Sequence, residues 1–225
     1  GGSGNRNVEA FAYTRAANED RNVVDIYRKG FDPIIASVVN DHSLSTGLRG
    51  DIKGWDVDFN MSTGKNKMHY YGRNTLNASL GSASPTEFDD GGFSLMQSST
   101  SIDFSRYFNE VLRGLNIAYG AEYRIDNYTI FAGEEGSWFN YGGLFIDGGD
   151  TTTRPGGSQG FPGFQPSDVT DEYRSNVGVY LDVEADITND FALSAALRYE
   201  DDSDFGNTIT GKLAARYAIS DKYAI

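Results

Sequence analysis

The densest run of potential ligand atoms in this chain is Glu200-Asp201-Asp202-Ser203-Asp204-Phe205-Gly206. Its carboxylates are the donors that Ca²⁺ gathers in sets of about six to eight oxygens. The spacing is not that of an EF-hand loop, and closely placed Asp and Gly residues also make tight turns. A hairpin is the expected reading. Further upstream, Trp138, Phe139 and Tyr141 fall in GSWFNYGGLF, and Phe161 and Phe164 in FPGFQP. Exposed aromatic rings on a long loop are candidates for stacking on a ligand, and they serve equally to pack such a loop on its neighbours. The two histidines, His42 and His69, are expected at loop bases without companion ligands, so a metal site is not predicted. No Ser/His/Asp order, paired-acid spacing or phosphate-cradling loop occurs, and neither an enzyme nor a resident cofactor is expected. Asn77-Ala78-Ser79 and Asn127-Tyr128-Thr129 fit glycosylation sequons that are expected to be incidental.

These residues hang on segments with a period of two. In YRSNVGVYLDVEADI, Val177, Val179, Leu181, Val183, Ala185 and Ile187 share one face, and Asn176, Tyr180, Asp182, Glu184 and Asp186 share the other. FALSAALRYE, NTITGKLAARYAI, LNIAYGAEYRID and WDVDFNMS repeat the alternation; SLSTGLRGD, SSTSIDFSRYF and VEAFAYTRA show it more weakly. About eight strands of ordinary length are expected. Short turns are predicted at Lys53-Gly54, Asn109–Gly114, Thr188-Asn189-Asp190 and Ser220-Asp221, and long loops at 18–42, 63–93 and 132–170. All five prolines lie in those loops, clear of the ladders in which a missing N–H would cost a bond. Residues 1–7, GGSGNRN, have the composition of a linker or turn.

Short turns alternating with long loops describe an antiparallel up-and-down meander with unlike rims, the pattern of transmembrane β-barrels. No apolar run reaches the roughly 18 residues of a membrane helix, so any spanning must be by strands. The polar face carries charges of both signs and needs water or a network. Tyr123, Tyr173 and Tyr199 cluster towards the long-loop rim, and Phe191 and Tyr217 towards the short-turn rim, as interfacial girdles would. An open edge in lipid would strand backbone N–H and C=O groups, so such a sheet must close; the many charged groups suit a lumen wider than that of about eight strands. A net charge of −13 excludes the basic surface that nucleic-acid binding requires, and the absence of cysteine excludes disulfides and thiolate metal sites.

At RYEDDSDFGNTITGKLAARYAISDKYAI the text resembles the TonB-dependent outer-membrane receptors. TLNASLGSASPTEFDDGG (Thr75–Gly92), GAEYRIDNYTIFAGE (Gly120–Glu134) and FPGFQPSD (Phe161–Asp168) extend the resemblance over residues 8–225. It implies an all-β fold, part of a large barrel of about 22 strands whose plug domain is expected to be missing from this chain. It further implies a place in the bacterial outer membrane, with lipid, a small-molecule ligand and, through the missing plug, the TonB complex as partners. The implied activity is energy-coupled uptake of an iron-siderophore, cobalamin, haem or a carbohydrate. A self-contained small outer-membrane barrel and a soluble β-sandwich binding module are the competing expectations.

Overall fold

A computed structural model describes residues 1–220 and 223–225. Among these residues a nine-stranded antiparallel sheet runs in the order β1 (Gly2–Phe11), β2 (Ile34–Ile52), β3 (Trp55–Arg73), β4 (Glu87–Phe108), β5 (Gly114–Phe131), β8 (Thr170–Asp186), β9 (Phe191–Asp202), β10 (Gly206–Ser220) and β11 (Tyr223–Ala224). The order follows the chain, as a meander requires. Within the β5–β8 connection, β6 (Leu144–Asp147) and β7 (Asp150–Thr153) form a separate hairpin. The expected all-β meander is thus present, and β1 and β11 end the sheet without pairing to each other among the described residues.

The tight connections follow from local chemistry. Lys53 and Gly54, at φ 56° and 81°, turn β2 into β3, since two successive left-handed residues match the twist of a hairpin. Between β8 and β9 the Thr188 hydroxyl accepts from the N–H groups of Asp190 and Phe191. The acidic knot resolves as expected: Asp202 pairs with Gly206, and three residues close the β9–β10 hairpin. The turn predicted at Ser220-Asp221 reaches outside the described residues.

Three expectations need correction. Residues 2–7, read as linker or turn, lie in β1. The long loops are shorter than predicted, because 34–42, 63–73 and 87–93 belong to β2, β3 and β4. There the hydrophobic alternation lapses, as in Lys65-Asn66-Lys67, while the backbone ladder continues. His42 and His69 consequently sit inside strands, not at loop bases.

The chain divides into two compact units, one comprising Gly1–His42, Lys65–Met96 and Asn127–Glu172, the other Ser43–Gly64, Gln97–Asp126 and Tyr173–Ile225. In the second unit burial is inverted relative to an ordinary domain. Leu181, Leu197 and Leu213 on the apolar face are 47%, 55% and 75% exposed. The opposite face is knitted by charge: Arg198 reaches Glu122 at 3.3 Å and Glu200 at 2.9 Å, Arg174 reaches Asp126 at 3.0 Å, and the Tyr180 hydroxyl donates to Asp103 at 2.7 Å. Register places Leu197 beside Leu181 and Gly211, and Arg198 beside Tyr180 and Thr210, so the two faces stay sorted from strand to strand. Tyr123, Tyr173, Tyr199 and Tyr217 are exposed on the apolar face, and Phe191 stands directly opposite Tyr217.

In a bilayer, Ala195→Arg, on that exposed apolar face, is expected to destabilise the folded protein by about 2–4 kcal/mol. Lys212→Gln and Glu184→Gln, on the polar face, are expected to change stability by less than about 0.5 kcal/mol. Denaturant unfolding in lipid vesicles measures all three.

Candidate functional site

The first unit buries more polar than apolar residues among those described. A small apolar cluster of Val23, Phe31, Leu76 and Ala78, with Ile26 and Tyr27 against it, folds the β1–β2 connection; the Tyr27 and Phe31 rings stack at 4.4 Å. Beside it lies a polar knot centred on Asn77. This residue caps the short 3₁₀ helix Ala78–Ala83, accepting from the Ser79 N–H and hydroxyl at 3.1 and 2.7 Å. Its amide nitrogen donates to the carbonyls of Gly136 and Phe139 at 2.8 and 2.9 Å, and its backbone N–H to Ser84 Oγ at 2.8 Å. Fully buried and fully bonded, Asn77 ties the β3–β4 connection to the β5–β8 connection. The sequon reading missed this role because a sequon describes an exposed asparagine.

Around Asn77 other short polar side chains and main-chain groups complete the knot. The Ser137 carbonyl accepts from the N–H groups of Ser158 and Gly163, and its hydroxyl donates to the Glu134 carbonyl. Thr75 donates to the Gln159 carbonyl at 2.7 Å, and Gln159 N–H returns to the Leu76 carbonyl. Gly163 approaches so closely that a Cβ there would lie 2.0 Å from Ser137 Oγ. Arg154 donates to the carbonyls of Asp20, Asn22 and Leu144 and lies over the Phe145 ring at 5.1 Å, which fastens the β6–β7 hairpin to the β1–β2 connection. The loops are therefore folded, bonded bodies.

On this scaffold the candidate aromatics form two groups. Trp138, Phe139 and Tyr141 make an edge-to-face series at 5.6 and 5.0 Å, with Phe139 and Tyr141 exposed and the Tyr141 hydroxyl donating to Glu135 at 3.0 Å. Phe161 and Phe164 are half-buried, 5.7 Å apart, and both approach Tyr70, at 5.0 and 6.5 Å. Tyr70 continues the series to Phe93 at 6.2 Å, and Phe93 to Tyr128 at 6.3 Å. Among the described residues no ring pair joins the two groups. The sequence reading did not find Tyr70, Phe93 or Tyr128. Tyr70 and Tyr128 have even numbers, the polar parity of β3 and β5, and large rings on a polar face are the signal that would have found them.

His69, the residue before Tyr70 on β3, points the other way, as successive strand residues do. His69 Nε2 lies 2.8 Å from Asp89 Oδ1, and the Tyr71 hydroxyl 3.1 Å from His69 Nδ1. The His69 ring packs on Tyr71 and edge-on to Phe131. Beside this pair a cleft of about 390 Å³ is lined by Tyr71, Arg73, Glu87, Phe88, Asp89 and Glu134. Arg73 is held by Glu9 at 2.9 Å. The acids and Arg73 offer polar recognition, and the histidine–carboxylate pair adjoins a tyrosine hydroxyl in place of a serine or cysteine nucleophile.

The family model described as "TonB dependent receptor-like, beta-barrel" matches residues 1–225. No curated protein matches in sequence. Among solved structures, the siderophore receptor PirA from Pseudomonas aeruginosa aligns with a TM-score of 0.41 at 11% identity, over 97% of this chain and 40% of that one. The chain thus spans less than half the length of that receptor.

Asn77→Ala leaves the Gly136 carbonyl without a buried donor and the Phe139 carbonyl with only the longer contact from the Gly157 N–H at 3.3 Å. The unsatisfied carbonyl is expected to cost about 1–3 kcal/mol. Amide hydrogen exchange should speed up across residues 136–141 while β9 and β10 keep their protection.

Proposed function

Because the chain belongs to the TonB-dependent receptor-like β-barrel family, we propose that it supplies wall strands and outer connections of an outer-membrane receptor for a small, scarce ligand. The family is one of receptors and transporters. Its ligands, on this reading, are iron-siderophores, cobalamin, haem or carbohydrates, taken up with energy delivered by TonB through the plug domain.

The observation that carries the proposal is the inverted burial in the second unit. A soluble sandwich would pack Leu181, Leu197 and Leu213 against a second sheet, yet they lie open while the charged face is networked. Hydrocarbon is the surrounding that accepts the first face, and a wet lumen the one that accepts the second. In this arrangement the charged strands serve as wall and perform no bond chemistry.

Ligand capture is assigned to the aromatic connections. Phe139 and Tyr141 present exposed rings held by the Asn77 knot, so little ordering is required when a ligand stacks on them. Phe161 and Phe164 hold their segment against Tyr70 and form a second aromatic group with Phe93 of β4 and Tyr128 of β5. Rings of this kind engage conjugated chelators, porphyrins and the C–H faces of sugars alike.

In the intact receptor, the double substitution Phe139→Ala/Tyr141→Ala is expected to weaken ligand binding about tenfold or more, near 1.4 kcal/mol. Tyr217→Ala, on the apolar face, is expected to leave affinity unchanged. Growth and uptake with each ligand class as sole source, followed by titration of the one that supports growth, measure this. Equal affinity of the double variant and the parent would remove the site from these loops.

A further inference from the structure

Asp90, on β4, is fully buried, and it belongs to none of the features assigned above. Its Oδ1 lies 2.9 Å from Ser158 Oγ, and its Oδ2 has no hydrogen-bond partner. The Ser158 hydroxyl also lies 2.6 Å from the Phe161 carbonyl oxygen. That carbonyl can only accept, and serine has a single proton to give. With Ser158 donating to Phe161, the contact to Asp90 is a hydrogen bond only if the carboxyl itself carries a proton and donates to Ser158 Oγ. An ionised Asp90 would either face the lone pairs of Ser158 or take its proton away from Phe161. Both alternatives add a further acceptor without a donor to Oδ2, which already lacks one, and the ionised form adds a buried charge, a costly state.

The charges around Asp90 act in the same sense. From β4 itself comes Asp89, whose carboxylate is engaged by His69 of β3 and by the Gly91 N–H. From the β5–β8 connection comes Glu134, which accepts from the Asp89 N–H. Gly72 of β3 covers Oδ2, since a Cβ there would lie 3.1 Å from it. Among the described residues no basic side chain pairs with Asp90. Burial is the largest cause, and Asp89 and Glu134 add to it; together they raise the Asp90 pKa to about 7 even when Ser158 turns its proton towards the carboxylate, the arrangement that would lower it. Asp90 lies in the first unit, which on the receptor reading is outside the membrane-spanning part of β4.

We propose that the Asp90 carboxyl is a proton-held latch: neutral, it completes the Asp90–Ser158–Phe161 relay that fastens residues 157–164 to β4, and its ionisation unfastens them. Main-chain bonds from Phe164 N–H to the Asp90 carbonyl and from Gly163 N–H to the Ser137 carbonyl close the same contact. Phe161 and Phe164 ride on this segment, so the latch governs half of the aromatic surface assigned above. Only that consequence rests on the receptor reading; the latch does not.

The sign follows from linkage. The closed form binds the proton more tightly than the open form, in which Asp90 has an ordinary aspartate pKa. Closure is therefore strongest at acid pH, weakens as pH rises between the two values, and levels off above about 7. Hydrogen exchange of residues 157–164 in the full chain reads it directly, after division by the intrinsic exchange rate. Protection is expected to fall on the order of tenfold per pH unit from pH 5 to 7 and to level off above that. Asp90→Asn, whose amide can donate to Ser158 permanently, is expected to remove the dependence. Protection that stays flat in the parent, or an unchanged slope in Asp90→Asn, overturns the proposal. Should that variant fail to fold, infrared spectroscopy of the isotope-edited parent decides: a protonated carboxyl band at pH 6, where ordinary aspartates are ionised, is expected, and its absence overturns the latch. None of these readouts uses a ligand, so their failure is distinct from failure of the receptor reading.

Discussion

One backbone ladder has to serve two surroundings at once, and everything else in this chain depends on that. The ladder satisfies the N–H and C=O groups along each strand, leaving side chains to be sorted by parity alone. A slip of one residue would place Arg198 where Leu197 stands, on the apolar face. Ion pairs resist that slip. Arg198 with Glu122 and Glu200, and Arg174 with Asp126, are worth little individually at half-exposed sites, about 0–1 kcal/mol each. Their effect is to make one register the register in which both faces are content.

The connections solve a different problem, having too little apolar surface to fold by burial. Short polar side chains that reach nearby main-chain groups replace it: Asn77, Ser79, Thr75, Ser137 and Ser158 each bond to backbone, and glycines such as Gly163 let the segments close to contact. A core of this kind is specific, because each donor has one geometrically suitable acceptor. It also concentrates the cost of any mismatch. The orphaned Trp138 Nε1, Gln159 Oε1 and Asp90 Oδ2 show where the fit is incomplete.

How far the sequence could be read follows from the same division. Where one face is apolar and exposed, alternation is sharp, and β5, β8, β9 and β10 were placed to within about five residues of their observed ends. Beyond those stretches both faces are polar or mixed, so β3 through Lys65-Asn66-Lys67 and β4 through Asp89-Asp90-Gly91 carry no two-residue signature and read as loop. The aromatics of the 132–170 connection were visible as candidates, and Phe161 and Phe164 do come together. Their partners Tyr70 and Phe93 were hidden in the 63–93 segment read as loop, and Tyr128 was named only as the middle of a sequon. Asn77 was hidden for another reason: a hub made of one amide and several main-chain groups leaves no pattern in side-chain types.

The Phe191–Tyr217 pair at one end of β9, and Tyr199 eight positions along, bracket the exposed apolar stretch. At about 3.3 Å per residue that interval is about 26 Å along the strand, and a tilt near 40° reduces its rise across a bilayer to about 20 Å. Such a ruler is shorter than the roughly 32 Å hydrocarbon thickness of a sterol-rich plasma membrane and suits the thinner bacterial outer membrane. For a wall strand of the proposed receptor, hydrophobic mismatch would draw lipid thin around this segment in most synthetic bilayers, and short-chain lipids would fit it best.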